Sequence, residues 1–178
     1  MKPRGLLMKE HRLIEKMIEV IRFKTEEIQR TGTVSPHFID TAVDFIRMYA
    51  DRTHHGKEEE ILFRDCSGKH MSEKDTNLMN ELIDEHKYGR KTVAALGEAK
   101  EKYARGSDTL DIILTRLNAL VEFYPQHIMK EDRIFFPDSE RYFSESELNK
   151  MLGEFWEFDR NMIHEKYKLV VTQLKESE

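Results

Sequence analysis

The sequence predicts an all-α protein: an up-down-up-down four-helix bundle followed by an additional C-terminal fifth helix. Apolar residues make up 39% of the 178 residues and charged residues 35%, with only eight glycines and four prolines. This composition is typical of amphipathic helices with solvated outer faces. Turn residues divide the chain into five long segments. In the first four, apolar residues recur at alternating steps of three and four, which keeps one helical face towards a core.

Turn and capping residues set the bounds of the helices. Gly32 and Pro36 separate the first helix from the second, and Ser72 is a favourable N-cap for the third. Gly106 separates the third helix from the fourth, and Pro137 closes the fourth. The short connections suit antiparallel neighbours in a bundle.

The fifth helix begins with a capping box formed by Ser144 and Glu147. Its apolar residues are expected to pack on the flank of the bundle or to form a homodimer surface. We therefore predict a single domain over residues 1–178, with a metal-binding bundle in 6–137. The predicted helices cover residues 6–31, 36–65, 73–105, 108–135 and 145–176.

Charge and composition exclude several classes of protein. The net charge of −5 disfavours a nucleic-acid binder, which needs excess Lys and Arg. Cys66 is the only cysteine, which rules out an internal disulfide and a thiolate metal cluster. No apolar run reaches the roughly 18 residues of a membrane span, and the N-terminal run is too short for a signal peptide. We expect a cytoplasmic protein that binds neither membranes nor nucleic acid.

Ionisable residues occupy core positions on the inward stripes of all four bundle helices. A buried carboxylate costs many kcal/mol unless it is neutralised or coordinates a metal ion. Lys and Arg are scarce on the same stripes, so a metal ion is the better partner. The residues concerned are His11, His55, Glu59, His86, His127 and Glu131.

The spacing and height of these residues also suit ligands of one site. His55 precedes Glu59 by four residues, as His127 precedes Glu131, and this spacing stacks two side chains on one helical face. Counted from the turns, the histidines of all four helices lie at nearly the same height in an antiparallel bundle. The sequence therefore predicts one layer of ligands.

An internal repeat relates the two halves of the chain. His11 matches His86 at an offset of 75 residues, and the run that begins at His55 matches the run that begins at His127 at an offset of 72. Two similar helical hairpins would arrange their ligands about a pseudo-twofold axis. This symmetry suits two ions bridged by two carboxylates.

These blocks resemble the hemerythrin-like family, also called HHE cation-binding domains, over residues 6–137. The residues that carry the resemblance are His11, the run His54–Phe63, His86 and the run His127–Pro137. The resemblance implies a centre of two iron ions, although imidazole and carboxylate donors also suit zinc and manganese. It further implies that His11 and His55 bind one ion, that His86 and His127 bind the other, and that Glu59 and Glu131 bridge them.

The sequence departs from the oxygen carriers of this family at two positions. Arg90 stands where they have a second histidine on the third helix. Glu131 follows His127 after four residues, whereas their last carboxylate is an aspartate after five, the position of Asp132 here. Six ligands rather than seven predict a more open centre. An open centre favours sensing, or reaction with peroxide or nitric oxide, over reversible oxygen carriage.

Two further groups of residues near the ligands have open roles. His54 and Glu58 form a second pair, one residue out of phase, and are expected to support the ligands or to be exposed. Tyr124, one turn before His127, is expected to pack in the core, with a ligand or hydrogen-bonding role as the alternative.

Three other positions are interpreted from their place on the helices. Glu10 and Glu85 could orient ligating histidines, but a solvated face is the preferred interpretation because each lies about 100° around its helix from a ligand. Gly89, one turn after His86, leaves room either for a small ligand or for close packing of helices.

The leading functional hypothesis is a di-iron protein that binds or senses oxygen or iron, with dioxygen, peroxide or nitric oxide as small ligands. The alternative from the enzyme class is a di-iron oxidase or peroxidase, although no Glu-x-x-His motif of the ferritin type lies at the layer positions. A third hypothesis is a helical scaffold whose polar layer only sets register. The sequence favours binding over catalysis.

Overall fold

The computed structural model describes residues 2–176, which form five helices and no strand. The first four helices pack in a ring in which each contacts the next and the fourth returns to the first. The predicted all-α bundle with a C-terminal helix is confirmed. The helices are α1 (Pro3–Thr31), α2 (36–67), α3 (Glu73–Ala104), α4 (110–142) and α5 (Glu145–Glu176).

Two of these helices are composite. The segments of α2 are Pro36–Phe45, Ile46–His55, Glu58–Phe63 and Arg64–Ser67, and the helical residues Gly56 and Lys57 join the second to the third. Those of α4 are Leu110–Lys130, Glu131–Phe135, Phe136–Ser139 and a final 3₁₀ turn, Glu140–Tyr142.

The predicted caps are confirmed at three helix ends. Gly32 ends α1 in the left-handed conformation at φ 68°, which a residue without a Cβ adopts at little cost. The Ser72 hydroxyl accepts a hydrogen bond from the backbone N–H of Asp75 at 3.1 Å. Ser144 and Glu147 bond reciprocally at the start of α5, as a capping box requires.

The middle of α2 is wound more widely than an α-helix. The segments Ile46–His55 and Glu58–Phe63 are π-helical, with bonds such as that from the Gly56 N–H to the Asp51 carbonyl, five residues back. The aromatic residues Phe38, Phe45 and Tyr49 of α2 are only partly buried. The buried residues instead recur at steps of four: Ile46, Ala50, His54, Glu58 and Leu62.

A second π-helical segment, Glu131–Phe135, lies in α4. Pro137 was predicted to close this helix, but the chain remains helical to Tyr142. The proline lies at the start of the Phe136–Ser139 segment, directly after this π-helical turn.

The apolar core has two parts, separated along each bundle helix by the level of the histidines. In α1, for example, Leu7 belongs to one part and Ile14 to the other, with His11 between them. Residues of α5, including Met151 and Phe155, join the same part as Leu7. Apolar layers above and below therefore keep water from the histidines.

The fifth helix lies against α1 and α2. Its outer face leaves Trp156, Ile163 and Tyr167 exposed, so a homodimer surface stays a prediction. Across the described part of the chain, no helix combines the length and hydropathy that a membrane crossing requires.

Candidate metal centre

Seven buried side chains from all four bundle helices meet at one level, and each is at most 2% exposed. They form the histidine–carboxylate cluster: His11, His54, His55, Glu58, His86, His127 and Glu131. The potential ligand atoms fall into two groups, each within 4.8 Å. One group contains His11, His54, Glu58 and Glu131, and the other contains His55, His86 and His127.

Five of the six ligands predicted from the sequence lie in this cluster, and Glu59 does not. The Glu59 side chain is 29% exposed, and its Oε1 accepts hydrogen bonds from His86 Nδ1 and Arg90, both at 2.7 Å. Glu58 is fully buried and lies on the opposite side of the His86 ring, with Oε2 3.4 Å from His86 Nε2. In the structure the Glu58 side chain therefore faces the cluster, and the Glu59 side chain faces away from it.

His54 accompanies Glu58 into the cluster. Its Nε2 lies 3.4 Å from Glu58 Oε1. The π-helical winding of Ile46–His55 explains why both residues face inward, because its extra residue per hydrogen-bonded turn rotates the inward face relative to a regular α-helix. His54 and Glu58 are therefore neither exposed nor peripheral, contrary to the expectation from a regular α-helix.

The inward-facing atoms of the cluster lack hydrogen-bond partners among the described residues. They are Nε2 of His11, His54, His86 and His127 and both carboxylate oxygens of Glu58 and Glu131. Polar atoms left unpaired in a dry interior cost free energy. All eight are donors that iron, zinc and manganese accept. The residues present therefore fit metal cations at this position.

Every histidine in the cluster also contacts an outer carboxylate through Nδ1. The pairs are His11–Asp132 at 2.7 Å, His54–Glu10 at 2.8 Å, His55–Asp51 at 3.4 Å, His86–Glu59 at 2.7 Å and His127–Glu85 at 2.8 Å. Such pairing fixes the ring and directs Nε2 inward, as around histidine-bound metals. The expectation that Glu10 and Glu85 lie on a solvated face was wrong, because each bonds to a histidine on the neighbouring helix.

Cationic side chains form a third layer, outside these carboxylates. Arg12 bonds to Asp132, Lys57 to Glu10, and Lys130 to Glu85. Arg90 bonds to both Asp51 and Glu59. Each outer carboxylate thus has a cationic partner, which holds it ionised as an acceptor for its histidine.

The buried imidazoles and the two central carboxylates shift one another's pKa values. Burial would lower the pKa of His11, but the neighbouring carboxylates of Asp132 and Glu131 outweigh it and raise this pKa to about 10. Burial and the charge of Glu58 would raise the pKa of Glu131, but the surrounding histidines hold it at about 2. A bound cation would replace the imidazolium charge and release protons.

The internal repeat pairs more of the cluster residues when the offset of its second block is 73 residues rather than 72. At an offset of 73, His54 matches His127, Lys57 matches Lys130, and Glu58 matches Glu131. The contacts obey the same rule: Glu59 bonds to His86 as Asp132 bonds to His11. The matching lysines were the signal in the sequence that could have identified His54 and Glu58.

Tyr124 and Gly89, for which the sequence left two roles open, border the cluster. Tyr124 is buried and belongs to the same part of the apolar core as Ile14. A cavity of about 370 Å³ is lined by Tyr124, Gly89, His55 and Arg90 among others. A Cβ at Gly89 would lie 3.4 Å from the Phe123 ring. The missing side chain therefore allows close packing against Phe123 and leaves part of the cavity open.

The comparison with known families agrees with this geometry. No curated protein and no solved structure matches the chain significantly. The family model described as Hemerythrin HHE cation binding domain matches residues 3–166, a range that contains all seven residues of the cluster. The chain therefore belongs to the hemerythrin HHE cation-binding domain family.

Proposed function

We propose that this protein binds two metal ions, iron in preference, in the histidine–carboxylate cluster. The observation that carries this proposal is the convergence of eight buried, unpartnered ligand atoms from four helices. A single tetrahedral site would use only four. Glu58 and Glu131 lie between the two groups of histidines and each contacts histidines from more than one helix, which suits them to bridge two ions.

The two ions would have different numbers of histidines. His11 and His54 would hold one, and His55, His86 and His127 the other. The difference arises because Ile128 stands where the repeat places the counterpart of His55. The five histidines and two carboxylates equal the seven ligands of the oxygen carriers, and this equality supports oxygen binding as the function of this centre.

The position beside Ile128 is where we place a small ligand such as dioxygen. Ile128 and Tyr124 line a cavity of about 330 Å³ together with Ile18 and Glu15, which follow His11 on α1. Bound iron would supply electron transfer to the small ligand. The chain's own residues hold the imidazoles in place, exclude bulk water from the cluster and leave an opening at this side that is lined by both apolar and charged side chains. The held imidazoles and the accessible position together favour binding or sensing of oxygen.

The substitution Ile128→His is expected to block this position by adding a sixth imidazole, while both metal ions remain. Stopped-flow spectra of the anaerobically reduced, iron-loaded protein mixed with oxygenated buffer measure the effect. The wild type should change its spectrum rapidly, and Ile128→His should do so several-fold more slowly. Met129→His is the matched control, because Met129 is the exposed neighbour. Equal rates in wild type and Ile128→His would contradict the placement.

An oxidase or peroxidase is the second candidate, and the 370 Å³ cavity beside His55 favours it by offering room for a reactant. The same stopped-flow experiment separates the two functions. A spectral change that reverses when oxygen is removed supports binding. Continuous consumption of oxygen or peroxide with an added reductant supports an enzyme.

A further inference from the structure

Lys57 is a fully buried lysine that joins the histidine–carboxylate cluster to α5. Its ammonium group bonds to Glu10, whose other oxygen bonds to His54. The same ammonium lies 2.5 Å from Oδ1 of Asp159 on α5. These four residues, His54, Glu10, Lys57 and Asp159, form a continuous polar chain, the α5 relay. A buried ammonium group requires such partners because of its desolvation cost.

The repeat contains a matching chain that does not involve α5. In that chain His127 bonds to Glu85, and Glu85 bonds to Lys130. Lys130 also bonds to Glu81, which lies one turn before Glu85 on α3. The corresponding position on α1, one turn before Glu10, is Leu6. The first half of the bundle therefore lacks its own terminal acid, and Asp159 supplies one from another helix.

The packing of α5 holds Asp159 in this place. Phe158 lies directly against the backbone of α2 beside Lys57, because a Cβ at Gly56 would be only 2.7 Å from Cζ of its ring. Ion pairs fix the helix further along, between Arg52 and Glu165 and between Asp44 and Lys166. The contact between α5 and the relay is thus part of a continuous helix–helix interface.

We infer that Asp159 is a positioning residue for His54, through which the fifth helix acts on one of the two metal positions. By sharing the charge of Lys57, Asp159 leaves Glu10 a stronger hydrogen-bond acceptor for the Nδ1–H of His54. A stronger acceptor makes the imidazole a better metal donor. The inference rests on the proposed metal site for its consequence, but the hydrogen bond itself is present without metal. Displacement of α5 would make His54 a weaker metal donor and would leave the donor strength of His127 unchanged.

Nuclear magnetic resonance of the histidine Nδ1–H protons tests this inference in the full chain, both metal-free and zinc-loaded. Asp159→Asn should move the His54 signal upfield, because Lys57 then withdraws more charge from Glu10, and should leave the His127 signal in place. Asp159→Glu should return the His54 signal towards its wild-type position. Glu81→Gln should move the His127 signal instead. In the zinc-loaded protein, Asp159→Asn should also speed extraction of one of the two ions by a chelator several-fold.

Glu154→Gln is the matched control on α5, because Glu154 is similarly exposed and pairs with Arg64 at the surface. It should move neither signal. An unchanged His54 signal in Asp159→Asn overturns the inference, and so does an equal shift of all the histidine signals, which would mark general loosening of the fold. If the wild type binds no zinc, the proposed metal site fails, whereas the metal-free spectra still decide whether Asp159 acts on His54.

Discussion

Glu58→Gln is expected to abolish binding of the metal pair, whereas Glu59→Gln should retain both ions. Glutamine keeps the size of the side chain but removes the charge with which a carboxylate bridges two cations. Glu58 is fully buried with both oxygens unpartnered, so its replacement removes a ligand of both positions. Glu59 supports His86 from outside, and loss of such support typically lowers metal affinity by roughly 10–100-fold.

Metal content after anaerobic loading and the affinity from chelator competition measure this difference. The two adjacent substitutions are chemically identical, so each controls for the other, and circular dichroism verifies that both variants fold. If Glu58→Gln kept both ions and Glu59→Gln lost them, α2 would have the register of a regular α-helix. The π-helical winding described above would then be wrong.

Metal loading is expected to raise the midpoint of thermal unfolding substantially. A ligand that binds only the folded state at about 1,000 times its Kd stabilises that state by roughly 4 kcal/mol. For a chain of this size, each kcal/mol shifts the midpoint by about 2–4 °C. These values predict a rise of roughly 8–16 °C between chelator-treated and metal-loaded protein. The cations stabilise the fold because they pair with Glu58 and Glu131 in a dry interior.

Differential scanning calorimetry in the presence and absence of metal measures this rise. Glu58→Gln is the control that lacks the bridging carboxylate, and its unfolding midpoint should respond little to added metal. Equal midpoints for the wild-type protein with and without metal would show that the cluster is not linked to folding through a bound ion.

The apolar stripes of α1 and α3 could be predicted from the sequence because both helices are regular. His11 and His86 lie inward as their spacing indicates, and so do their apolar neighbours, such as Ile14 and Leu82. The fold followed from the same regularity, because helices with one apolar face and short connections have few ways to bury it.

The register of α2 could not be predicted by the same rule. A π-helical segment changes which residues share a face, and neither propensity nor periodicity marks where it begins. Glu59 was expected inward, and Glu58 was not, because the repeat was aligned at an offset of 72 residues, which pairs Glu59 with Glu131. In α4 the π-helical segment begins only at Glu131, the last residue of the cluster on that helix, so His127 and Glu131 kept their predicted positions.

The outer carboxylates were missed for a different reason. The positions of Glu10 and Glu85 were judged within their own helices, where each lies away from the inward face. Their hydrogen-bond partners, His54 and His127, belong to the adjacent helix. Contacts between helices depend on distance and rotation, which a single helical wheel does not contain.

Elemental analysis of the wild-type protein after anaerobic iron loading and removal of loosely bound metal tests the central claim most directly. The histidine–carboxylate cluster predicts two iron ions per chain, which Glu58→Gln loses. Zero or one tightly bound ion per chain in the wild-type protein would contradict a two-metal centre.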